Sequence, residues 1–200
     1  MPVRIRYDDR VKIVGPKFEH IKIIPVQRGR VCFFVDGVRQ NFNDKAVQDY
    51  YPDDFSWCYG CGRLNDKGLQ IKTRWDGDET VTEYTPRPEH TAIPGFVYGG
   101  LVASLIDCHS TGSASLALYR RDGHELGDAA PVPRCVTASL KTDFLKPTPL
   151  GKPIVIRGRI VEVGQKKVVV QSELSVDGVL CVRGEVVAVA APKTMIGSNQ

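Results

Sequence analysis

Asp107 lies in the run LVASLIDCHSTGSASLALYRR, Leu101 to Arg121, where most other residues are apolar or small. A carboxylate in such surroundings can act as a general base or a nucleophile, because loss of water raises its affinity for a proton. Its bland alternative is structural, capping a loop or pairing with an arginine. Thr111 follows four residues later and so shares a helical face with Asp107, beside the small residues Ala103, Ser104 and Ala114. That spacing predicts a carboxylate facing a narrow pocket. His109 points to another side of the same helix, which argues against an Asp/His dyad within one chain. Cys58-x-x-Cys61 has the spacing of half a zinc site, but a structural site wants four ligands. The sequence offers no second pair, and His90 and Cys108 stand isolated. Redox use of the pair is also disfavoured, since Gly60 and Gly62 make this a loop and not a helix start after a strand. The pair reads as packing, and no metal is expected.

These side chains need a helix to hold them. Leu101 to Arg121 is rich in Leu and Ala, free of proline, and preceded by Gly99-Gly100, so it is the one convincing helix. Leu101, Val102, Leu105, Ile106, Leu116 and Leu118 do not keep to one narrow stripe, which predicts burial along most of its surface. Before it, Gly68 to Trp75 and Thr80 to Thr85 alternate apolar with polar residues around Asp76-Gly77-Asp78, as paired strands do. Pro86, Pro88 and Pro94 then hold an extended loop. After a Gly/Pro-rich loop, Asp122 to Pro133, come Cys135 to Leu145, Ile154 to Val163, Lys167 to Val176 and Val179 to Ala190, predicted as a meander of strands. Asp177-Gly178 is a strong hairpin signal, and Gly164-Gln165 reads as a second tight turn with positive φ. The fold class is α+β, an antiparallel sheet wrapped around one long central helix. Residues 1–51 read as an N-terminal extension with a possible β-hairpin, Ile21 to Val26 and Val31 to Val35 joined by Gln27-Arg28-Gly29-Arg30. Residues 52–192 form the main domain and 193–200 a C-terminal tail.

The totals exclude several classes. A chain of 200 residues, 42% hydrophobic, can bury one sizeable core, and a net charge of +4 from 27 basic and 23 acidic residues marks out no nucleic-acid surface. No stretch is apolar enough for a signal-peptide core or a membrane span. Six scattered cysteines in a chain of this size suggest free thiols in a reducing compartment, so a soluble cytoplasmic protein with neither nucleic-acid nor membrane partner is expected.

Two motifs carry a family resemblance. HTAIPGFVYGGLVASLIDCHSTGSA resembles the signature of PaaI-like acyl-CoA thioesterases of the hotdog superfamily, in which His-Gly-Gly is followed by six residues and then Asp or Glu. Here Gly99-Gly100 precede Leu101 to Ile106 and then Asp107, with Tyr98 in place of the histidine. CYGCGRLNDKGLQIK, Cys58 to Lys72, is similar to a Cys-x-Gly-Cys-Gly-x-x-Asn-x-x-Gly-Leu run in one branch of that family. The last strands resemble the family's as well, so the likeness spans Trp57 to Pro192.

The resemblance implies a hotdog fold, a homodimer or homotetramer with sites shared between protomers, and hydrolysis of an acyl-CoA to a carboxylic acid and CoA, with no cofactor beyond the CoA of the substrate. It makes Asp107 the base or nucleophile and sets the backbone NH of Gly99 on the thioester carbonyl oxygen. A helix N-terminus with unpaired NH groups suits a developing oxyanion, and glycine lets the substrate come close. Thr111 would hold the water or orient the carboxylate. Tyr98, Gly100 and His90 would line the substrate site, and Lys146, Lys166 and Lys167, beside strand ends, would meet CoA phosphates. Tyr98 and Ala92 replace a histidine and an asparagine common in relatives. The departures point to a slower or differently specific enzyme, or to a non-catalytic hotdog protein binding acyl-CoA or an aromatic ligand. A hotdog dehydratase would pair a histidine with a carboxylate, and Tyr98 stands where that histidine belongs.

Overall fold

The computed structural model describes residues 45–192 and 195 in full and residues 22–26, 30–35 and 38–41 by their backbone. The chain divides into two compact units, Met1–Asp44 and Lys45–Gln200. In the first, β1 (Lys22–Val26), β2 (Arg30–Val35) and β3 (Val38–Asn41) form an antiparallel sheet in that order. β1 and β2 fall on the two apolar patches, with Val26 opposite Arg30, and β3 follows after a short connection. The Gln27 to Gly29 link lies outside the described residues, as does the C-terminal tail 193–200 apart from Met195.

The second unit starts earlier than the change in sequence character near residue 52 suggests. Val47, Gln48 and Tyr51 are buried, and Val47 and Tyr51 pack in a cluster with Leu116, Tyr119 and Val132. The Tyr51 hydroxyl lies 3.0 Å from Ser115 Oγ, and burial pushes its pKa up to about 12. Residues 45 to 51 therefore belong with the main domain, held by the C-terminal half of its helix.

That helix, α1 (Gly99–Arg121), runs across a six-stranded sheet. The strands are β4 (Arg74–Asp76), β5 (Glu79–Tyr84), β6 (Cys135–Phe144), β7 (Ile154–Val163), β8 (Lys167–Val176) and β9 (Val179–Ala190), in the order β4-β5-β7-β8-β9-β6 and antiparallel throughout. Sixteen helix residues, from Leu101 to Tyr119, are buried, as its lack of a single apolar stripe predicts. Three of its four serines and its threonine bond back to the preceding turn, Ser104 to Gly100 O at 2.9 Å, Thr111 to Asp107 O at 3.1 Å, Ser113 to His109 O at 2.8 Å and Ser115 to Thr111 O at 3.0 Å, while Ser110 meets Ser172 Oγ on β8 at 3.0 Å. Small, self-satisfied hydroxyls let a fairly polar helix occupy a core. No helix among the described residues is long and apolar enough to cross a membrane.

Three expectations change. β6 is no part of a meander with β7: it pairs with β9 at the far edge, while β7 pairs with β5. The middle of β6 carries Ser139, Lys141, Thr142 and Asp143, which an edge leaves in solvent and a central position would bury. β4 is only three residues long, because the segment before it bonds elsewhere. Leu69 NH donates to Tyr59 O at 2.7 Å and Ile71 NH to Gly60 O at 2.9 Å, while Gln70 between them sits at φ 51°. Gly164 does not take positive φ: the β7–β8 connection is a three-residue loop closed by Gly164 NH on Lys167 O at 2.7 Å. The β8–β9 turn behaves as expected, with Asp177 and Gly178 at φ 48° and 76°, the pair of positive values a type I′ hairpin requires.

The sheet approaches the helix closely where its strands carry glycine. A Cβ on Gly184 of β9 would stand 2.3 Å from Ile106 Cγ2, and one on Gly158 of β7 would stand 2.5 Å from His109 Nε2. Gly184→Ala is therefore expected to push the helix off the sheet and cost about 1–3 kcal/mol. Urea unfolding would show this as a lower midpoint with an unchanged slope, and an unchanged midpoint would contradict the packing described.

Candidate active site

Asp107 is set in the middle of α1 by the apolar residues on either side of it, Leu105 and Ile106 being fully buried while Asp107 itself is half-buried. Its carboxylate makes no ion pair among the described residues and accepts a hydrogen bond at Oδ1 from the hydroxyl of Thr137 on β6. Burial raises the Asp107 pKa above the ordinary carboxylate range; donation by Thr137 and the nearby Arg134 guanidinium pull it partly back. A carboxylate so placed is basic enough to take a proton and open enough to meet one.

Thr137 is exposed, and the β6–β9 register slips between Thr137 and Ser139. A bulge of this kind re-aims one side chain of a strand, here the hydroxyl that meets Asp107. Sequence reasoning misses Thr137, since a threonine within a strand is ordinary. The hydroxyl of Thr111, buried to 4% exposure, donates instead to the carbonyls of Asp107 at 3.1 Å and Cys108 at 3.3 Å. Thr111 thus fixes the backbone beneath Asp107, and Thr137 touches the carboxylate.

The helix begins two residues earlier than its apolar run, at Gly99. Tyr98 is its N-cap, and the Tyr98 carbonyl accepts from the NH groups of Leu101 at 3.0 Å and Val102 at 3.2 Å. The NH groups of Gly99 and Gly100 precede any helical acceptor and have no partner among the described residues. Gly100 has a steric reason as well: a Cβ there would lie 2.3 Å from the Tyr98 hydroxyl, whose ring folds over this turn. Tyr98 is 58% exposed, and Phe144, at the end of β6, lies 3.7 Å from where a Gly99 Cβ would stand. His90 joins this end through its carbonyl, which accepts from Tyr98 NH at 2.9 Å. Its ring stacks on Tyr84 with centroids 6.1 Å apart, and burial lowers its pKa.

The predicted residues therefore form two groups. Residues 99 and 107 are eight apart on one helix, so the Gly99 NH and the Asp107 carboxylate of a single chain are separated by about 12 Å along the axis. The lysines also divide. Lys146 NH bonds Cys181 O near the start of β9, whereas the Lys166 carbonyl accepts from Ala190 NH at its end, nine residues or about 30 Å away. Lys167 is paired with Glu162 at 2.9 Å. A broad depression on the outer face of the sheet, lined by Glu79, Arg157, Arg159, Glu173, Arg183 and Glu185 among others, lies apart from Asp107. Its charges largely satisfy one another, as in Arg157 with Asp76 at 2.9 Å and Arg183 with Glu173 at 3.2 Å.

Cys108 is not isolated, contrary to the sequence reading. Its sulfur lies 3.9 Å from that of Cys58, and the sulfurs of Cys58, Cys61 and Cys108 are all within 4.8 Å of one another. Gly60 permits this, since a Cβ there would stand 2.3 Å from Cys108 Sγ. His109, by contrast, is fully buried among Thr80, Thr82 and Ser113 and takes no part in the site.

The sequence profile of the thioesterase superfamily matches residues 94–182, the span from the loop before α1 into β9. A thioesterase superfamily protein from Shewanella loihica is 46% identical, with a TM-score of 0.54 over 70% of this chain and 98% of that one. Two more distant likenesses concern the fold alone. A thioesterase from Haemophilus influenzae is 16% identical, with a TM-score of 0.53 over 70% of this chain and 90% of that one. The Escherichia coli PaaI protein of the phenylacetic acid degradation operon is 15% identical, with a TM-score of 0.50 over 62% and 81%. No functionally curated protein matches the chain.

Proposed function

We propose that this chain, which belongs to the thioesterase superfamily and has its hotdog fold, hydrolyses an acyl-CoA to a carboxylic acid and CoA in a site built by two copies of itself. The observation that carries this reading is the Asp107 carboxylate: half-buried, free of any ion pair among the described residues, raised in pKa, and held by one hydroxyl. Asp107 acts as the general base that deprotonates water, or as the nucleophile itself, and the NH groups of Gly99 and Gly100 receive the oxyanion.

The separation of about 12 Å between these groups along one helix makes the second copy necessary, because both must lie within about 3 Å of one thioester. β6 supports such pairing. It is a ten-residue edge strand, with Leu140 40% and Phe144 56% exposed, and a long edge left unpaired among the described residues is a template for another strand. Two chains joined there bring Asp107, next to β6 through Thr137, towards the partner's helix start. Lys146 from one copy and Lys166 from the other can then serve one CoA, which they cannot do within a chain. A cytoplasmic setting fits the cysteines that stand unbridged among the described residues and the supply of acyl-CoA.

A second reading, a binder of acyl-CoA or an aromatic ligand without turnover, draws on the Tyr98 ring that covers the first helical turn and on Ala92, at a position where the resembled signature often has asparagine. A free-thiol release assay over short, long and aromatic acyl-CoAs separates the two. Turnover with at least one of them, at a rate proportional to protein concentration, is expected. Saturable binding of an acyl-CoA with no thiol released from any would favour the binder.

A further inference from the structure

The cysteine cluster has a purpose that hydrolysis does not use. Cys58 and Cys61 come from the loop ahead of β4 and Cys108 from α1, and the 3.9 Å between Cys58 Sγ and Cys108 Sγ is close to the spacing of two thiolates on one tetrahedral ion. Metal–sulfur bonds of about 2.3 Å at tetrahedral angles put sulfurs about 3.8 Å apart. A disulfide would need about 2.05 Å.

The loop is built to hold this arrangement. Gly62 NH donates to Cys58 O at 2.8 Å, and the Tyr59 and Gly60 carbonyls are tied down by Leu69 and Ile71. Gly62 is needed at the turn, since a Cβ there would stand 2.5 Å from the backbone of Ser56 and Cys58. Cys61 and Cys108 are buried while Cys58 is half-buried, which leaves an ion a way in beside Cys58.

Arg134 is the independent witness. Its Nη2 donates to Cys61 Sγ at 3.4 Å, its guanidinium lies over the Tyr51 ring at 4.7 Å, and its Nη1 is buried without a hydrogen-bond partner among the described residues. A guanidinium does not shed its proton, and a buried one needs an anion. No carboxylate forms an ion pair with it among the described residues, Asp107 acting on it only through the field, and the atom its Nη2 meets is the Cys61 sulfur, which as a thiolate would carry the countercharge. Three neutral thiols would not. Three thiolates around a divalent cation carry a net single negative charge, which Arg134 cancels.

We propose that Cys58, Cys61 and Cys108 bind one thiophilic divalent cation, zinc by bond length and ligand type, with Arg134 as the charge-balancing neighbour and a fourth position left to water or a small ligand. The ion clamps the loop to α1 one residue from Asp107, and its presence is independent of whether a thioester is cleaved.

Elemental analysis of the full chain purified from zinc-supplemented cells under reducing conditions is expected to show about one zinc per chain, and exchange with cobalt(II) to give thiolate-to-cobalt charge-transfer bands and tetrahedral d–d bands. Cys108→Ser should lose the metal, while Cys135→Ser, at a buried cysteine outside the cluster, should keep it. Should Cys108→Ser fail to fold, thiol titration of the wild type serves: three cysteines become reactive only when a chelator is added. Wild-type protein without zinc that gives no charge-transfer band on cobalt addition would overturn the proposal. So would a disulfide linking any two of the three cysteines in protein kept reduced.

Discussion

Asp107→Asn is expected to lower kcat for acyl-CoA hydrolysis by about 10²–10⁴-fold, the usual contribution of a positioned base, and to leave KM and the unfolding midpoint nearly unchanged. Asparagine keeps the shape of the side chain and can still accept from Thr137, so the change removes basicity and little else. The wild-type pH profile carries the same information. A base works in its ionised form, so kcat/KM should rise as pH climbs through the Asp107 pKa, which burial holds above the ordinary carboxylate range. Thr137 stabilises the ionised form, and Thr137→Val should therefore move this acid limb to higher pH while preserving most of the plateau rate. Wild-type turnover in Asp107→Asn would remove the carboxylate from the mechanism. An unmoved limb in Thr137→Val would remove only Thr137.

The parts of this site that were legible in the sequence are those that a single helix arranges. Asp107, Thr111 and the two glycines stand at fixed spacings along α1, and the spacing alone puts them on their turns. What the sequence hides is contact across elements. Thr137 reaches Asp107 because β6 lies at the edge beside β9 and bulges there, and neither the pairing nor the bulge leaves a pattern in CVTASLKTDF. Cys108 meets Cys58 and Cys61 because Gly60 allows a loop to lie against the helix, a close approach that looks like an ordinary turn glycine until the partner is known. The fold class follows from one long helix and dense Val/Ile runs. The strand order does not, since hairpin signals specify which strands turn back on themselves but say nothing about where β6 goes after the loop from Asp122 to Pro133. The short β4 has a similar cause: its predecessors alternate as a strand should, yet their NH groups bond the cysteine loop.

The second large effect belongs to stability and comes from His109, whose surroundings fix its protonation. Ser113 Oγ donates to His109 O at 2.8 Å and accepts from Thr80, 2.6 Å away, whose proton also faces Gly158 O at 3.2 Å, which leaves Thr80 a lone pair for the Nε2–H at 3.4 Å. On the other side Gln48 Nε2 donates to Thr73 at 3.2 Å, Thr73 to Thr82 at 3.0 Å, and Thr82 to His109 Nδ1 at 2.9 Å. The chain is satisfied throughout with a neutral ring. A proton on Nδ1 would turn every hydroxyl back towards Gln48, whose Nε2 faces Thr73 and can only donate. Full burial lowers the His109 pKa to about 3 from an ordinary 6.5. Between those values the unfolded chain binds the proton and the folded one does not, so this contribution to stability is complete above about pH 6.5 and is lost as pH falls. The slope is about 1.4 kcal/mol per pH unit, or about 2 kcal/mol by pH 5. His109→Gln cannot titrate: it should be less stable than wild type at pH 7.5, and the two should converge by about 2 kcal/mol at pH 5. Because His90, also lowered in pKa, acts with the same sign in both proteins, the difference between their urea curves isolates His109. Parallel curves from pH 7.5 to 5 would mean that the buried ring accepts its proton in the folded state, and the neutral network described here would be wrong.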